Sequence, residues 1–215
     1  MVTVIIPAHN EASHIGAVLA RVGRDYDVVV VDDGSYDNTR DVVRSHGHVP
    51  VIHRINRGKS SACITGIRKS KSDRCVFIDG DGQLNAHEIP RVLDALDHAD
   101  IAIGERDYRQ IPWARRLSNR YAAWCVNYIA GTNFRDALCG FRAVRRNAFQ
   151  KLRFKKQGYF FESEMIIRAA EQNLGMRSVL VSVDYSIGSR MPLSKSMRIA
   201  GWLTYLALKK AITRR

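Results

Sequence analysis

The chain has 215 residues, 46% hydrophobic and 26% charged, with 34 Lys and Arg against 21 Asp and Glu for a formal net charge of +13. That length and composition give one domain with a core of ordinary size and exclude a disordered or fibrous chain. The positive balance suits phosphorylated substrates, anionic lipid or nucleic acid, and four scattered cysteines without a CxxC pair argue against a disulfide framework or a zinc site and for reduced thiols in a cytosolic compartment.

In chain order, short Val- and Ile-rich runs predict strands at Val2–Ile6, Asp27–Val31, Val49–His53, Arg74–Ile78 and Asp100–Ile103. Between them, Ser13–Gly23, Tyr36–His46, Lys59–Ser70 and Ala86–Leu96 have helical length, with polar N-terminal caps expected at Ser13 and Asn85. Such alternation predicts an α/β fold with a mostly parallel sheet covered by helices on both faces. The second half is less regular. Trp113–Ile129 reads as a helix with Trp113, Leu117, Tyr121, Trp124 and Tyr128 on one face, Phe161–Gln172 as another, Met176–Val183 as a strand, and Ser194–Thr213 as a closing helix after Pro192. The first residues lack the charged start of a signal peptide. The most apolar stretch, Ile199 to Leu208, is ten uncharged residues between Arg198 and Lys209, short of the ~18–20 of a membrane span. We therefore expect one domain over residues 1–193 and a basic amphipathic helix over 194–215.

In a parallel sheet, ligands gather beyond the carboxyl ends of the strands. The segments there are Pro7-Ala8-His9-Asn10-Glu11, Asp32-Asp33-Gly34-Ser35, Arg54 to Lys59 and Asp79-Gly80-Asp81-Gly82-Gln83. Two carboxylates at Asp79 and Asp81 offer oxygen ligands to a hard cation such as Mg²⁺, shared with substrate phosphates. Gly80 between them is expected to let a diphosphate approach closely; a solvated Asp-Gly turn is the plainer alternative. For Asp32-Asp33-Gly34-Ser35, contact with a base or ribose competes with an ordinary capped turn. Gly58-Lys59-Ser60 is not a phosphate loop, because GxxxxGK[ST] requires glycine where His53 stands, and no GxGxxG follows the first strand. His9 and His53 read as loop residues.

Val4-Ile5-Ile6-Pro7-Ala8-His9-Asn10-Glu11, Val30-Val31-Asp32-Asp33-Gly34-Ser35 and Phe77-Ile78-Asp79-Gly80-Asp81-Gly82-Gln83 resemble family 2 glycosyltransferases with the GT-A fold. Gly104-Glu105-Arg106, Trp113 to Ser118, Asp136-Ala137-Leu138-Cys139-Gly140-Phe141-Arg142 and Gly158 to Met165 resemble the dolichyl-phosphate mannose synthase-like branch. The resemblance implies that Pro7, Ala8, Asn10, Glu11, Asp33, Gly34, Lys59, Asp79, Gly80, Asp81 and Gln83 bind a nucleotide-sugar, with Arg190 and Lys195 closing over its diphosphate. It implies Mg²⁺ or Mn²⁺ on Asp79, Asp81 and Gln83. Arg106, Arg115 and Asn119 would face an acceptor phosphate, and Asp136 and Glu164 would shape the sugar pocket. Asp81, Arg106, Arg115, Asp136 and Glu164 are thus the expected catalytic set. The chain departs from the pattern at Ser60 (commonly glycine), at Glu162 (usually glutamine), and in spacing Arg190 from Ser194-Lys195 one residue closer.

The implied reaction is inverting transfer of a sugar, GDP-mannose being the favoured donor, to a polyprenyl or dolichyl phosphate. A phosphate monoester with a second pKa near ~6 is ionised at neutral pH and needs no general base. A glycan or protein hydroxyl acceptor is the alternative; it would require a base, for which Asp136 or Glu164 is the candidate. These two carboxylates could instead cap helices or pair with Arg142 or Arg168, and Arg115 and Arg116 could be a solvated helix face. From Tyr185 onward there is no acidic residue, and seven basic ones surround Trp202, Tyr205 and several Leu. This describes a helix in a membrane interface, peripheral on the cytoplasmic face, or one docked on a membrane-embedded partner subunit. A nucleic-acid-binding module is disfavoured, because the acidic loops would repel a phosphate backbone.

Overall fold

The computed structural model describes the chain except Tyr108, Gln110, Pro112, residues 155–159, 188–192, 214 and 215, and the side chains of Ala114, Leu193, Ser194 and Lys195. Seven strands form one sheet: β1 (Val2–Ala8), β2 (Asp27–Asp32), β3 (Val51–Ile52), β4 (Arg74–Phe77), β5 (Ile101–Arg106), β6 (Arg142–Arg145) and β7 (Met176–Val181). Their order is β3-β2-β1-β4-β6-β5-β7. β6 runs antiparallel to both neighbours, and the other pairings are parallel. The helices are α1 (Ile15–Val22), α2 (Thr39–Ser45), α3 (Lys59–Lys69), α4 (Ile89–Asp97), α5 (Trp113–Ala130), α6 (Arg146–Lys151), α7 (Phe161–Glu171) and α8 (Leu193–Thr213).

The strands are continuous apolar runs because both faces are covered. Successive side chains alternate between two cores. Ile5, Cys75, Phe77, Ile101 and Ile103 meet α3, α5, α6, α7 and α8 on one side. Val4, Ile6, Val76, Ile78 and Ala102 meet α1, α2 and α4 on the other. All four cysteines are buried and free.

Several expectations change. β3 is shorter than Val49–His53, because Val49 is exposed and His53 turns inward to a hydrogen bond with Asp33. α1 begins at Ile15, with His14 rather than Ser13 at its cap position; the Glu11 carbonyl accepts from both His14 N and Ile15 N at 2.9 Å. Asn85 does cap, its side chain accepting from His87 N at 3.1 Å, although a 3-10 turn over Ala86–Glu88 precedes α4. β6 and α6 stand where the sequence predicts no element, since Arg142 and Arg145 bracket only two apolar residues in β6. The closing helix is present, but its inner face, Ile199 and Leu203, lies in the main core, and Trp202 meets Phe160 edge to face at 4.9 Å.

Candidate active site

The site forms where β1, β2, β4 and β5 end and β6 begins. The β1 and β2 loops are knit to each other. Ala8 O accepts from Asp33 N (2.8 Å), Asn10 N donates to Ser35 Oγ (2.9 Å), and Tyr36 N donates to Asn10 Oδ1 (3.0 Å). Asn10 adopts φ 59, a left-handed conformation asparagine tolerates. Glu11 N donates to Thr39 Oγ1 at 2.8 Å. Gly34, at φ 75, lies where a Cβ would come within 2.6 Å of the backbone of Ile55 and Asn56, so glycine there serves the close approach of the β3–α3 loop.

Asp33 is nearly fully buried. Its Oδ1 accepts from Arg57 N (2.9 Å) and meets His53 Nδ1 (2.7 Å), and its Oδ2 accepts from Gly58 N (2.7 Å). His53 Nε2 lies 2.9 Å from Thr65 Oγ1. His53 is thus not a bystander in a loop: with Asp33 it fixes the turn into α3. Asp32, also buried, ion-pairs with Arg40 at 2.6 Å. That turn delivers Lys59. Its Nζ lies 2.5 Å from Asp79 Oδ1 and ion-pairs with Glu162 Oε1 on the first turn of α7. Burial pulls the Lys59 ammonium down in pKa, but Asp79 and Glu162 lift it well above the ordinary lysine value.

Asp79 and Asp81 follow β4, both partly exposed. Asp81 Oδ1 accepts from Gln83 N at 3.0 Å. Gly80 is buried, and a Cβ there would meet Pro7 O and Ile15 Cδ1, both at 3.3 Å. It lets the loop lie against the end of β1. Gly140 makes the closest approach, since a Cβ would run into the Asp79 carboxylate. No third His, Cys, Asp or Glu completes a metal cluster among the described residues. Two partly exposed carboxylates two residues apart are donors of the kind hard divalent cations share with substrate phosphates, so Mg²⁺ or Mn²⁺ fits the chemistry of these side chains.

Because β6 is antiparallel, the segment before it lies at the same edge as the ends of β4 and β5; Arg142 is in register with both Phe77 and Ile103. This brings Asp136 to Arg106. Arg106 Nε donates to Asp136 Oδ2 (2.5 Å) and Arg106 Nη2 to Oδ1 (3.0 Å), while Leu138 N donates to Oδ1 (2.9 Å). Burial would raise the Asp136 carboxyl, but the Arg106 guanidinium and these hydrogen bonds hold it below the usual range. Glu164, fully buried, pairs with Arg168 at 3.3 Å. Arg142 pairs with neither: it donates to the carbonyls of Ala137 (2.9 Å), Cys139 (3.0 Å) and Glu162 (2.7 Å), locking this segment to α7.

Arg115 is partly exposed on the first turn of α5, and Asn119 is buried one turn on. Arg116 turns back, its Nη2 donating to Ile111 O at 3.2 Å, and so braces the β5–α5 connection. Tyr185 carries no local sequence signal. Its segment joins the Gln83 loop through Asp184 N to Gln83 O (2.8 Å), it feels the charges of Arg106 and Asp136, and its hydroxyl oxygen is buried without a hydrogen-bond partner among the described residues. Arg190, Gly158 and Tyr159 lie outside the described residues, as does the Lys195 side chain. Two hollows of about 560 and 400 Å³, one bordered by Asn133 and Arg177 and the other by Arg68 and Phe154, lie away from these strand ends.

The sequence profile of glycosyl transferase family 2 matches residues 3–153. An uncharacterised protein of Methanocaldococcus jannaschii is 32% identical over 200 residues, 84% of this chain and 87% of the relative. The undecaprenyl-phosphate 4-deoxy-4-formamido-L-arabinose transferase of Edwardsiella ictaluri is 30% identical over 165 residues, 70% of this chain but 51% of the relative. In three dimensions, the glucosyl-3-phosphoglycerate synthase of Mycobacterium tuberculosis, solved with Mn²⁺, UDP-glucose and phosphoglyceric acid, superposes with a TM-score of 0.77 over 96% of this chain and 79% of the other, at 20% identity. That likeness is one of fold, and it matches the expected GT-A architecture.

Proposed function

We propose that this chain, which belongs to glycosyl transferase family 2, moves a sugar from a nucleotide-sugar to a polyprenyl phosphate with inversion, GDP-mannose being the favoured donor. One observation carries the choice of acceptor. A hydroxyl acceptor needs a general base, and both candidate carboxylates are committed. Asp136 is buried, with both oxygens in hydrogen bonds to Arg106 and the backbone, and Glu164 is buried against Arg168. A phosphate monoester is largely ionised above its second pKa of ~6 and needs no base. Relatives named as undecaprenyl-phosphate sugar transferases support the same reading.

In this mechanism the β1 and β2 loops hold the nucleoside, and Asp79, Asp81 and Gln83 are the residues that would hold a divalent ion. A divalent cation there would neutralise the charge that develops on the leaving nucleoside diphosphate. Arg106, held in one orientation by Asp136, presents its remaining N–H groups to the acceptor phosphate, with Arg115 at the start of α5 beside it. Planar guanidinium groups match phosphate oxygens in pairs. The acceptor oxygen attacks the anomeric carbon in line with the departing diphosphate. Glu162 and Lys59 fix the position of Asp79 at the floor. An acceptor of this kind is met at a membrane, which the chain approaches peripherally from the cytoplasmic side; no described helix is long and apolar enough to cross one.

The test is transfer from labelled GDP-mannose, UDP-glucose or UDP-N-acetylglucosamine, with Mg²⁺ or Mn²⁺, offered undecaprenyl phosphate, dolichyl phosphate or phosphoglyceric acid in parallel. Label extracted into organic solvent with one donor supports the reading. Label appearing only on the soluble acceptor overturns it and returns the hydroxyl mechanism.

A further inference from the structure

We infer that the outer face shared by α5 and α8 is a docking surface for an anionic phospholipid bilayer. The sequence places an apolar stripe on each helix, but only the fold sets the stripes side by side. Tyr121 Oη lies 2.7 Å from Thr204 Oγ1, and Lys210 Nζ donates to the carbonyls of Tyr128 (3.1 Å) and Ile129 (2.6 Å) at the end of α5. Tyr121 thus stands beside Thr204, and Tyr128 beside Lys210, so the helices run parallel and in step. The inner face of α8 is consumed by the core through Ile199 and Leu203.

The outer face is left bare. On α5, Trp113 is 75% exposed and Trp124 59%; on α8, Tyr205 is 62%, Leu208 60% and Ile212 74%. Tyr121, Trp124 and Tyr128 stack in a ladder with ring centroids 6.1 and 6.0 Å apart. Contiguous large apolar side chains of this kind mark an interaction site rather than ordinary surface.

Charge identifies the occupant. Neither helix contains an Asp or Glu, and exposed Arg120, Arg198 and Lys209 border the stripes. A lipid interface asks for this combination: Trp and Tyr with one apolar and one polar edge, aliphatic side chains reaching the acyl boundary, and cations toward the head groups. The same helix α5 carries Arg115 in its first turn, so docking would bring the acceptor side of the site to the membrane. The inference deepens the proposed reading by naming the surface, and its test does not depend on sugar transfer.

The intact chain is sedimented with vesicles of phosphatidylcholine alone or with phosphatidylglycerol, both free of polyprenyl phosphate. Binding to the anionic vesicles is expected to exceed binding to the neutral ones about ten-fold or more and to weaken in high salt, with a blue shift of tryptophan emission. The triple variant W124S/L208S/I212S is expected to lose binding about ten-fold while keeping its melting temperature and its calorimetric affinity for the donor. A second variant, R120Q/K209Q, is expected to lose the salt-sensitive part alone. Failure to bind anionic vesicles, or unchanged binding by the triple variant, overturns the inference. So does a dimer in light scattering that the triple variant turns into a monomer, since a second copy would then own the face. Vesicle binding without any transfer product would instead remove the proposed acceptor and leave the docking surface standing.

Discussion

Lys59 Nζ lies 2.5 Å from Asp79 Oδ1 and turns its other side to the Glu162 carboxylate. Glu162 is a departure from the resembled pattern, and the pair accounts for it: the extra carboxylate is matched by the ammonium that also steadies Asp79. Lys59→Met strands two carboxylates in a half-closed site and is expected to cost about 3 kcal/mol in urea unfolding. Adding Glu162→Gln should recover part of that loss, giving a coupling of about 1 kcal/mol or more in the double-mutant cycle. Additive losses would mean that the pair is not coupled.

Asp81→Ala should leave the fold intact, costing about 1 kcal/mol through the lost bond from Gln83 N, and should abolish turnover. Calorimetry should show that metal-dependent donor affinity has fallen as well. A variant that binds donor and turns over normally would remove Asp81 from the metal site.

Gly140→Ala puts a methyl group into the space of the Asp79 carboxylate. Asp79 must rotate away, and misplacement on the scale of an ångström costs about 100-fold in rate. The expected result is a collapse of kcat with a melting temperature within a few degrees of the parent. Gly131→Ala is no control for this, because Gly131 has φ 70; Gly201→Ala, with open space around it, is.

Asp136 links pH to stability. Arg106 and the backbone hold its carboxyl below the usual range in the folded chain, so folding gains stability at pH values above the unfolded pKa of ~3.9. That gain disappears as pH falls through the lower folded value. Melting temperatures of the parent and Asp136→Asn should therefore differ most above about pH 4 and converge in acid. A difference that does not change with pH would mean that Asp136 is not ionised against Arg106.

The thiols give a simple check on burial. All four cysteines are buried, and the Cys139 thiol is pushed up to about 12 by burial and by Asp136 beside it, against the pull of Arg106. A thiol that stays protonated and covered is inert. Ellman's reagent should count none in the native protein and four after denaturation.

The central motifs were legible because of where they stand. β1, β2 and β4 are buried on both faces, so their apolar runs are unbroken in sequence, and the acids and glycines that follow each run fall at the strand ends. Those features fixed the α/β class, the loops that make the site and the family resemblance. Arg106 and Asp136 were singled out individually, but their fork was not foreseen. The sequence offered Arg142 as a partner, and Arg142 proved to be spent on three carbonyls.

Local pattern alone therefore determined which residues the sheet would deliver at its carboxyl edge, since strand periodicity and turn chemistry act over a few neighbouring residues. The tertiary structure decided the rest. The antiparallel insertion of β6 carries Asp136 and Gly140 to the site from the segment before a strand instead of after one. It also decided the buried contacts of His53 with Asp33 and of Lys59 with Glu162, and the alignment of the α5 and α8 stripes through Tyr121 and Lys210. Each of these joins residues far apart in the chain, and what selects them is the shared exclusion of water around a common core.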